Sequence, residues 1–203
     1  MKVVLLGASG MVGSRILAEL SSRGHTVTAL ARKPSGIAAL PGVTAKAVDA
    51  FDRAALADAW RGHDVAISSV HYLASDADTL IGAAKESGVP RYLVVGGAGS
   101  LEVAPGVKLF DTPQFPAIYL NEAKAGGAFL DKLKTEPKLN WTFLSPSALI
   151  QPGERTGRFR LGTDQLIVDA AGNSAISAED YAVALVDELE APKHSRKRFT
   201  VGY

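Results

Sequence analysis

Apolar residues recur along the chain as short, β-branched runs separated by amphipathic stretches. Six runs come first and two weaker candidates follow near the end: Val3–Leu6, Thr26–Leu30, Thr44–Val48, Val65–Ser69, Tyr92–Val95, Trp141–Leu144, Leu166–Val168 and Arg198–Val201. Continuous apolar runs are typical of strands buried on both faces, and most gaps leave room for a crossover helix. Right-handed crossovers then produce a doubly wound parallel sheet. The pattern predicts an α/β fold in three layers, α/β/α.

The intervening helices carry their own boundary signals. In the first helix an apolar face is followed by a glycine that can end it; these residues are Val12, Ile16, Leu20 and Gly24. Gly62 and Gly88 are similar stops. In the last helix Ser177 is the predicted N-cap, with Asp180 three residues on, and Pro192 marks the end. The predicted buried stripe of that helix is Ala182, Leu185, Val186 and Leu189.

Two long segments interrupt the alternation of strands and helices. Residues 96–121 are rich in glycine and proline and show no clear period, and a helix is predicted to begin near Asn121. Long loops inside compact domains are usually functional. This one leaves the carboxyl end of the fifth strand, where open α/β sheets bind ligands, so we expect it to border an active site. A second loop, residues 145–163, leaves the sixth strand.

Between the first strand and the first helix lies the motif Gly7-x-x-Gly10-x-x-Gly13. Gly7 permits a sharp turn, Gly10 lets the backbone approach a pyrophosphate, and Gly13 lets the helix pack closely on the sheet. Backbone N–H groups at the start of the helix would face the anion. The alternative is a tight turn that holds no ligand, but the strand–loop–helix context favours a dinucleotide.

The end of the second strand distinguishes the two nicotinamide cofactors. An acidic residue there binds the ribose hydroxyls of NAD, whereas a basic residue binds the 2'-phosphate of NADP. Here Arg32 and Lys33 follow the strand without a carboxylate, which favours NADP and leaves NAD possible; a solvated basic turn is the alternative. Asp49 is placed to meet the adenine edge or to cap the next helix, and Asp52 competes for that cap.

Composition and charge disfavour several classes of protein. The formal net charge is +1, and hydrophobic residues make up 47% of the chain, which disfavours both disorder and electrostatic binding of nucleic acid. The absence of cysteine excludes disulfides and thiolate chemistry and suits the reducing cytoplasm. We find no metal-ligand spacing, signal peptide or membrane span. We therefore expect one 203-residue cytoplasmic domain that binds small molecules, with the basic residues 194–198 in a solvated turn.

Several stretches resemble a known family. Residues 3–16, the Arg32 turn and residues 94–101, Val-Val-Gly-Gly-Ala-Gly-Ser-Leu, resemble the atypical short-chain dehydrogenase/reductase superfamily. Residues 141–146, 152–157 and 177–185 are most similar to the NAD(P)H-binding proteins labelled NADH-flavin reductases, which are relatives of the NmrA-like and biliverdin reductase B groups. The resemblance extends over nearly the whole chain.

This resemblance implies a Rossmann-type sheet with a small C-terminal substrate lobe, a cofactor lying across the strand ends and a pocket over the nicotinamide. The cofactor contacts that it implies are Gly7, Ser9, Gly10, Met11, Val12, Gly13, Arg32, Lys33, Asp49, Ala50, Ser68, Ser69, Val70, Gly96, Gly97, Pro146, Ser147, Ala148 and Leu149.

The sequence departs from the superfamily at its catalytic pair. Typical members use Tyr-x-x-x-Lys, in which the lysine lowers the tyrosine pKa. Here Tyr119 is followed four residues later by Ala123, and Lys124 comes one position late. A serine that often ends the fifth strand is missing, and Ser100 is displaced from that place. Carbonyl reduction by the usual proton exchange is therefore disfavoured, whereas reduction of a flavin or quinone needs less help from the protein.

Three side chains are the candidates for acid–base chemistry. His71 follows the fourth strand and could face the nicotinamide ribose or give a proton to a reduced acceptor, although a solvent-facing histidine is the commoner outcome. Tyr119 and Lys124 could line the pocket together, or Lys124 could be an ordinary surface lysine. In the second loop Glu154, Arg155 and Arg158 could select an anionic acceptor or pair with each other.

These residues favour an NAD(P)H-dependent oxidoreductase that passes hydride to a flavin, quinone or similar small conjugated acceptor. The flavin in this hypothesis is a substrate. An NmrA-like sensor that binds NADP without turnover is the first alternative. A sugar-nucleotide epimerase or dehydratase is the second, and it is disfavoured because the chain lacks the tyrosine–lysine pair and the length of a large substrate lobe.

Overall fold

The computed structural model describes residues 1–203 and is built around one large sheet. The strands, in chain order, are β1 Lys2–Leu6, β2 Thr26–Ala31, β3 Val43–Ala47, β4 Val65–Ser68, β5 Arg91–Val95, β6 Glu102–Ala104, β7 Val107–Lys108, β8 Trp141–Ser145, β9 Leu149–Gln151, β10 Arg160–Gly162, β11 Ala175–Ser177 and β12 Lys197–Gly202. The α-helices are α1 Met11–Ser22, α2 Arg53–Trp60, α3 Ala77–Ser87, α4 Ala117–Lys134 and α5 Ala178–Glu190. None of these helices combines the length and apolar character needed to cross a bilayer.

Eight strands form the central sheet in the order β10-β12-β8-β5-β4-β1-β2-β3. Every neighbouring pair is parallel except β10 with β12. The chain runs outward from β1 through β2 to β3 and then returns to β4 on the other side of β1. The crevice between the carboxyl ends of β1 and β4 is therefore a topological switch point, the place where such sheets bind ligands.

Alternate residues of the strands point into two separate cores. Val3 and Leu5 pack with residues of α1 and α5, whereas Val4 and Leu6 pack with residues of α2, α3 and α4. Helices on both faces explain why the strands are apolar at nearly every position instead of every second one. The predicted three-layer, doubly wound parallel sheet is confirmed.

The cap residues settle one alternative that the sequence left open. Asp52 is the N-cap of α2 and accepts a hydrogen bond from the Ala55 N–H at 3.0 Å. Asp49 instead accepts from Phe51 N–H in the preceding turn. The predicted cap of the last helix is confirmed, because Ser177 Oγ accepts from the Asp180 N–H at 3.0 Å.

One predicted strand is wrong. Residues 166–168 are irregular, and the sheet edge beside β12 is occupied by β10 instead. The backbone of the 164–166 segment is used elsewhere, because Glu102 donates to the Asp164 carbonyl and accepts from the Leu166 N–H. This apolar run therefore lies beside a backbone bridge to β6 and is not a strand of the central sheet. The sequence pattern does not distinguish these two arrangements.

The 96–121 segment is more ordered than its composition indicates. It contains the β6–β7 hairpin, a short 3-10 turn at Leu109–Asp111 and the first turn of α4. That helix begins at Ala117 and not near Asn121, because Pro116 occupies the N-cap with a φ of −62° that leads directly into the helix.

The basic segment 194–198 is only partly the solvated turn that was expected. Arg198 lies within β12 and is 8% exposed, with its guanidinium bound to Asp164 and Ser100. His194 stacks on Phe199 and binds Glu188 through Nδ1. The run of charges therefore contains a buried arginine and a histidine bonded to a buried carboxylate, since sequence alone does not show which basic residue points inward along the strand.

We predict that Asp52→Ala lowers the free energy of unfolding by about 1 kcal/mol, because the first turn of α2 loses its side-chain acceptor. Urea unfolding followed by circular dichroism measures the change. Asp58→Ala is the matched control on the same helix, since Asp58 is exposed and pairs only with Arg61. The control should change stability by less than about 0.5 kcal/mol. Equal losses in both variants would contradict the capping role.

Candidate functional site

A cavity of about 1110 Å³ opens at the carboxyl ends of the central strands. It is lined by the residues that follow β1, β4, β5 and β8, beginning with Gly7, Ser69, Gly96 and Pro146. Its volume exceeds the roughly 300–1,000 Å³ of pockets that hold one drug-sized ligand. The cavity therefore has room for an extended cofactor together with a second molecule.

The glycine loop at one end of the cavity has a shape that other residues would disrupt. Gly7 has a φ of +84°, and a Cβ at this position would overlap the Ser69 carbonyl oxygen. A Cβ on Gly13 would overlap the carbonyl oxygen of Gly7. Gly7 and Gly13 are thus required by backbone-to-backbone contacts between the loop, the start of α1 and the end of β4.

The start of α1 presents hydrogen-bond donors to the cavity. Gly10 is the N-cap and offers no side-chain acceptor, and the first turn contains no acidic residue. The N–H groups of Met11, Val12 and Gly13 donate to no protein acceptor. Unpaired donors and the positive end of the helix dipole form a site for an anion. The loop therefore fits a pyrophosphate on its geometry as well as on its glycine spacing.

At the end of β2 the structure separates the two basic residues that the sequence had grouped. Arg32 lines the cavity, whereas Lys33 is exposed and lies outside the lining. Pro34–Gly36 form a short 3-10 turn that packs against Ser9 of the glycine loop. Asp49 and Ala50 line the cavity beside Arg32, as expected for the adenosine end.

Apart from Gly13, which packs against the Gly7 carbonyl, and Ser68, the other predicted cofactor residues line the cavity. Those that line it are Ser9, Gly10, Met11, Val12, Ser69, Val70, Gly96, Gly97, Pro146, Ser147, Ala148 and Leu149. Ser68 does not, because its hydroxyl is buried against the Tyr92 hydroxyl at 2.8 Å. Burial raises the pKa of Tyr92 above its usual range, so this pair is neutral core structure. The Ser68 side chain is directed to Tyr92 on β5, and the cavity lining begins one residue later, at Ser69.

Two of the three acid–base candidates lie at the cavity. His71 lines it with a side chain that is 88% exposed, and its Nδ1 is 3.4 Å from Glu122 Oε1. Tyr119 lines it from the first turn of α4. Lys124 is exposed and outside the lining, because a helix turns by about 100° per residue and Ala123 is the residue that shares the face of Tyr119. The structure does not bring Tyr119 and Lys124 together.

Sequence reasoning missed Tyr72 and Glu122, which attach α4 to the strand ends. The Glu122 carboxylate accepts from the N–H groups of Tyr72 at 2.6 Å and Leu73 at 3.0 Å. The Tyr72 hydroxyl donates to the Val95 carbonyl at 2.9 Å, and burial raises its pKa. Its ring contacts α4 at Gly126, where a Cβ would lie 2.7 Å away. In the sequence, the adjacent glycines Gly126 and Gly127 inside a helix were the feature that could have indicated this close contact.

The second loop is held by a small sheet and by an ion pair to α1 instead of by pairing among its own charged residues. The β9 strand pairs with β11 in a small parallel sheet beside the cavity. Arg155 does not pair with its loop neighbours but extends to Glu19 on α1, with Nη2 2.8 Å from Oε1. Arg155 and Arg23 together lower the pKa of the Glu19 carboxyl. This ion pair anchors the loop to the helix layer below it.

A parallel sheet with a glycine loop and a helix N-terminus at its switch point defines a dinucleotide-binding protein of the Rossmann class. The family model for NAD(P)H-binding proteins matches residues 7–192, and the chain belongs to that family. The predicted resemblance to NAD(P)H-binding proteins is confirmed, and with it a nicotinamide cofactor.

Similar proteins cover the chain from end to end. YwnB of Bacillus subtilis, an uncharacterized protein, is 42% identical over 99% of this chain and 98% of its own. A "putative epimerase" from Bacteroides thetaiotaomicron is 45% identical with a TM-score of 0.95, covering 100% of this chain and 96% of that one. A "putative NADH-flavin reductase" from Streptococcus pneumoniae is 35% identical with a TM-score of 0.82, covering 100% and 99%.

We predict that Gly13→Ala weakens NADPH binding at least tenfold, because the added Cβ must displace the Gly7 carbonyl and with it the anion-binding loop. Fluorescence titration with NADPH measures the affinity. Ser14→Ala is the control on the same turn, since Ser14 lies outside the cavity lining and its hydroxyl bonds only residues of its own helix, Met11 and Arg15. Wild-type affinity in Gly13→Ala would place the dinucleotide elsewhere.

Proposed function

We propose that the protein is an NADPH-dependent reductase that transfers hydride directly to a flavin, quinone or similar small conjugated acceptor. The observation that carries the proposal is the face of α4 above the cavity. Where a Tyr-x-x-x-Lys enzyme would present lysine next to tyrosine, this face presents Ala123 next to Tyr119. An acceptor that needs no lysine-activated tyrosine suits this arrangement.

The acceptor end of the cavity is mostly apolar. Side chains from the 96–121 segment, the start of α4 and β9 form its walls: Leu109, Phe115, Pro116, Tyr119, Leu149 and Ile150. A flat conjugated ring gains stability from burial against such surfaces and can stack on aromatic side chains. Apolar walls also exclude water from the position where hydride is transferred.

The bound cofactor supplies the hydride, and the residues of the chain position the two reactants and supply a route for the proton. Reduction of a quinone or flavin consumes one hydride and one proton, so a proton must reach the acceptor. His71 is exposed to solvent and lies beside the Glu122 carboxylate, an arrangement in which an imidazole can exchange protons with water. This supports His71 as the proton donor of the site, with Tyr119 as a wall of the acceptor pocket.

Names of relatives support this proposal unequally. The reductase from Streptococcus pneumoniae shares the proposed activity in name, whereas the epimerase name of the Bacteroides protein points to different chemistry. Epimerisation in this superfamily depends on the tyrosine–lysine pair, and in this chain Lys124 lies off the cavity. The geometry therefore favours reduction.

We expect purified protein to oxidise NADPH when menadione or FMN is added, with saturation in both substrates. The loss of NADPH absorbance measures the rate, and protein-free reactions give the background. Tight NADPH binding without oxidation in the presence of any flavin or quinone would refute the reductase and favour the non-enzymatic sensor. Conversion of a sugar nucleotide without net NADPH loss would favour the epimerase.

The preference for NADP rests on Arg32. We predict that Arg32→Glu weakens NADPH binding by about 10- to 100-fold through loss of a charge-assisted contact to the 2'-phosphate, and changes NADH binding little. Isothermal titration with each cofactor measures the ratio. Lys33→Glu is the matched control, because Lys33 carries the same charge outside the cavity lining. Equal weakening of NADPH and NADH by Arg32→Glu would refute a phosphate role.

A further inference from the structure

Apolar side chains continue from the acceptor end of the cavity onto the surface of the protein. Pro116 and Tyr119, at the start of α4, are part of the cavity wall. Just outside the lining, Ile118 is 83% exposed and Leu73 is 63% exposed. Single exposed apolar residues are common on protein surfaces, so the position of these two matters more than their exposure.

Leu73 and Ile118 lie on two elements that meet at the mouth of the cavity. Glu122 Oε2 accepts a hydrogen bond from the Leu73 N–H at 3.0 Å. Ile118 precedes Glu122 by four residues, so it lies one turn away on the same face of α4. Tyr119 follows Ile118 and lines the cavity. The side chains of Leu73, Ile118 and Tyr119 therefore form an apolar rim that is continuous with the wall of the acceptor pocket.

The charged residues of the cavity are divided between its two ends. Arg32 is the only lysine or arginine in the lining, and it lies beside Asp49 at the adenosine end. At the acceptor end the Glu122 carboxylate lines the cavity, and the basic side chain there, His71, is already beside that carboxylate. The phosphate of a flavin nucleotide would lie here near a carboxylate and without a lysine or arginine to pair with. The charges therefore favour an uncharged acceptor.

We propose that the acceptor is an uncharged quinone with an apolar side chain, which places its ring in the cavity and its side chain on the apolar rim. This rests on the proposed reductase function and names the substrate class. Hydride from NADPH and one proton from solvent or His71 convert the quinone to the hydroquinone and leave NADP⁺. The side chain takes no part in the reaction, and each methylene buried on the rim strengthens binding by about fourfold.

The test compares two quinones with the same ring substituents apart from the side chain. Coenzyme Q0 has no side chain, and coenzyme Q1 carries one five-carbon isoprenyl group. We expect wild-type protein to show a kcat/KM for Q1 that is about 10- to 100-fold higher than for Q0, mainly through a lower KM, because the side chain binds equally in the ground state and the transition state.

The double variant Leu73→Ser/Ile118→Ser removes the aliphatic part of the rim. We expect it to reduce the ratio of kcat/KM for Q1 to that for Q0 to less than about threefold. Leu161→Ser is the matched control, because Leu161 is a 53% exposed leucine on β10 that lies outside the cavity lining. The control should keep the wild-type ratio.

Three results would overturn the proposal: no preference of the wild type for Q1, an unchanged ratio in the double variant, or a higher kcat/KM for FMN than for Q1. A distorted pocket would instead slow Q0 and Q1 alike and leave the ratio unchanged. Quenching of protein fluorescence by Q0 and Q1 in the presence of NADP⁺ measures the same preference as a ratio of Kd values, without turnover. Wild-type protein that oxidises NADPH with no quinone or flavin overturns the proposed function itself, whereas loss of the Q1 preference alone leaves the reductase in place.

Discussion

The site depends on one close contact between backbone segments at the switch point of the sheet. The chain leaves β1 through Gly7 and meets the carbonyl end of β4, and one turn later Gly13 brings α1 against the Gly7 carbonyl. No side chain fits in either contact, so the loop is held by packing of main-chain atoms. That packing directs the unpaired N–H groups of α1 into the cavity. The rest of the site is arranged around this fixed anion-binding end.

The opposite end of the cavity is built from α4. Its carboxylate Glu122 holds the turn after β4, and its small residues admit the Tyr72 ring on one side and Ser100 on the other. A helix with a larger side chain at Gly126 would be displaced from the strand ends. The same small residues, Gly126 and Gly127, line the cavity one to two turns beyond Tyr119 and Ala123.

Much of the fold could be predicted from the sequence because hydrophobic period and glycine position are local properties. The central strands, the glycine loop and the Ser177 cap follow from neighbouring residues alone. The orientation of individual side chains could not be predicted. The sequence does not show that Ser68 bonds Tyr92, that Arg198 is buried, or that Arg32 and not Lys33 lines the cavity. These depend on contacts between residues far apart in sequence. The strand predicted at residues 166–168 was wrong for the same reason, since backbone bonds to Glu102 formed instead of a strand of the sheet.

The two sides of the cavity are held by different kinds of contact, and the ion pair between Arg155 and Glu19 holds the side of the second loop. Glu19 is 6% exposed and is shared by Arg155 and Arg23, so withdrawing the second loop would leave a nearly buried carboxylate with one guanidinium instead of two. On the opposite side His71, Leu73 and the start of α4 are exposed, and the ionic contact there is between His71 and Glu122. The loop beside β9 is therefore held to the helix layer by ion pairs, whereas the turn after β4 is held to α4 by the hydrogen bonds of the Glu122 carboxylate.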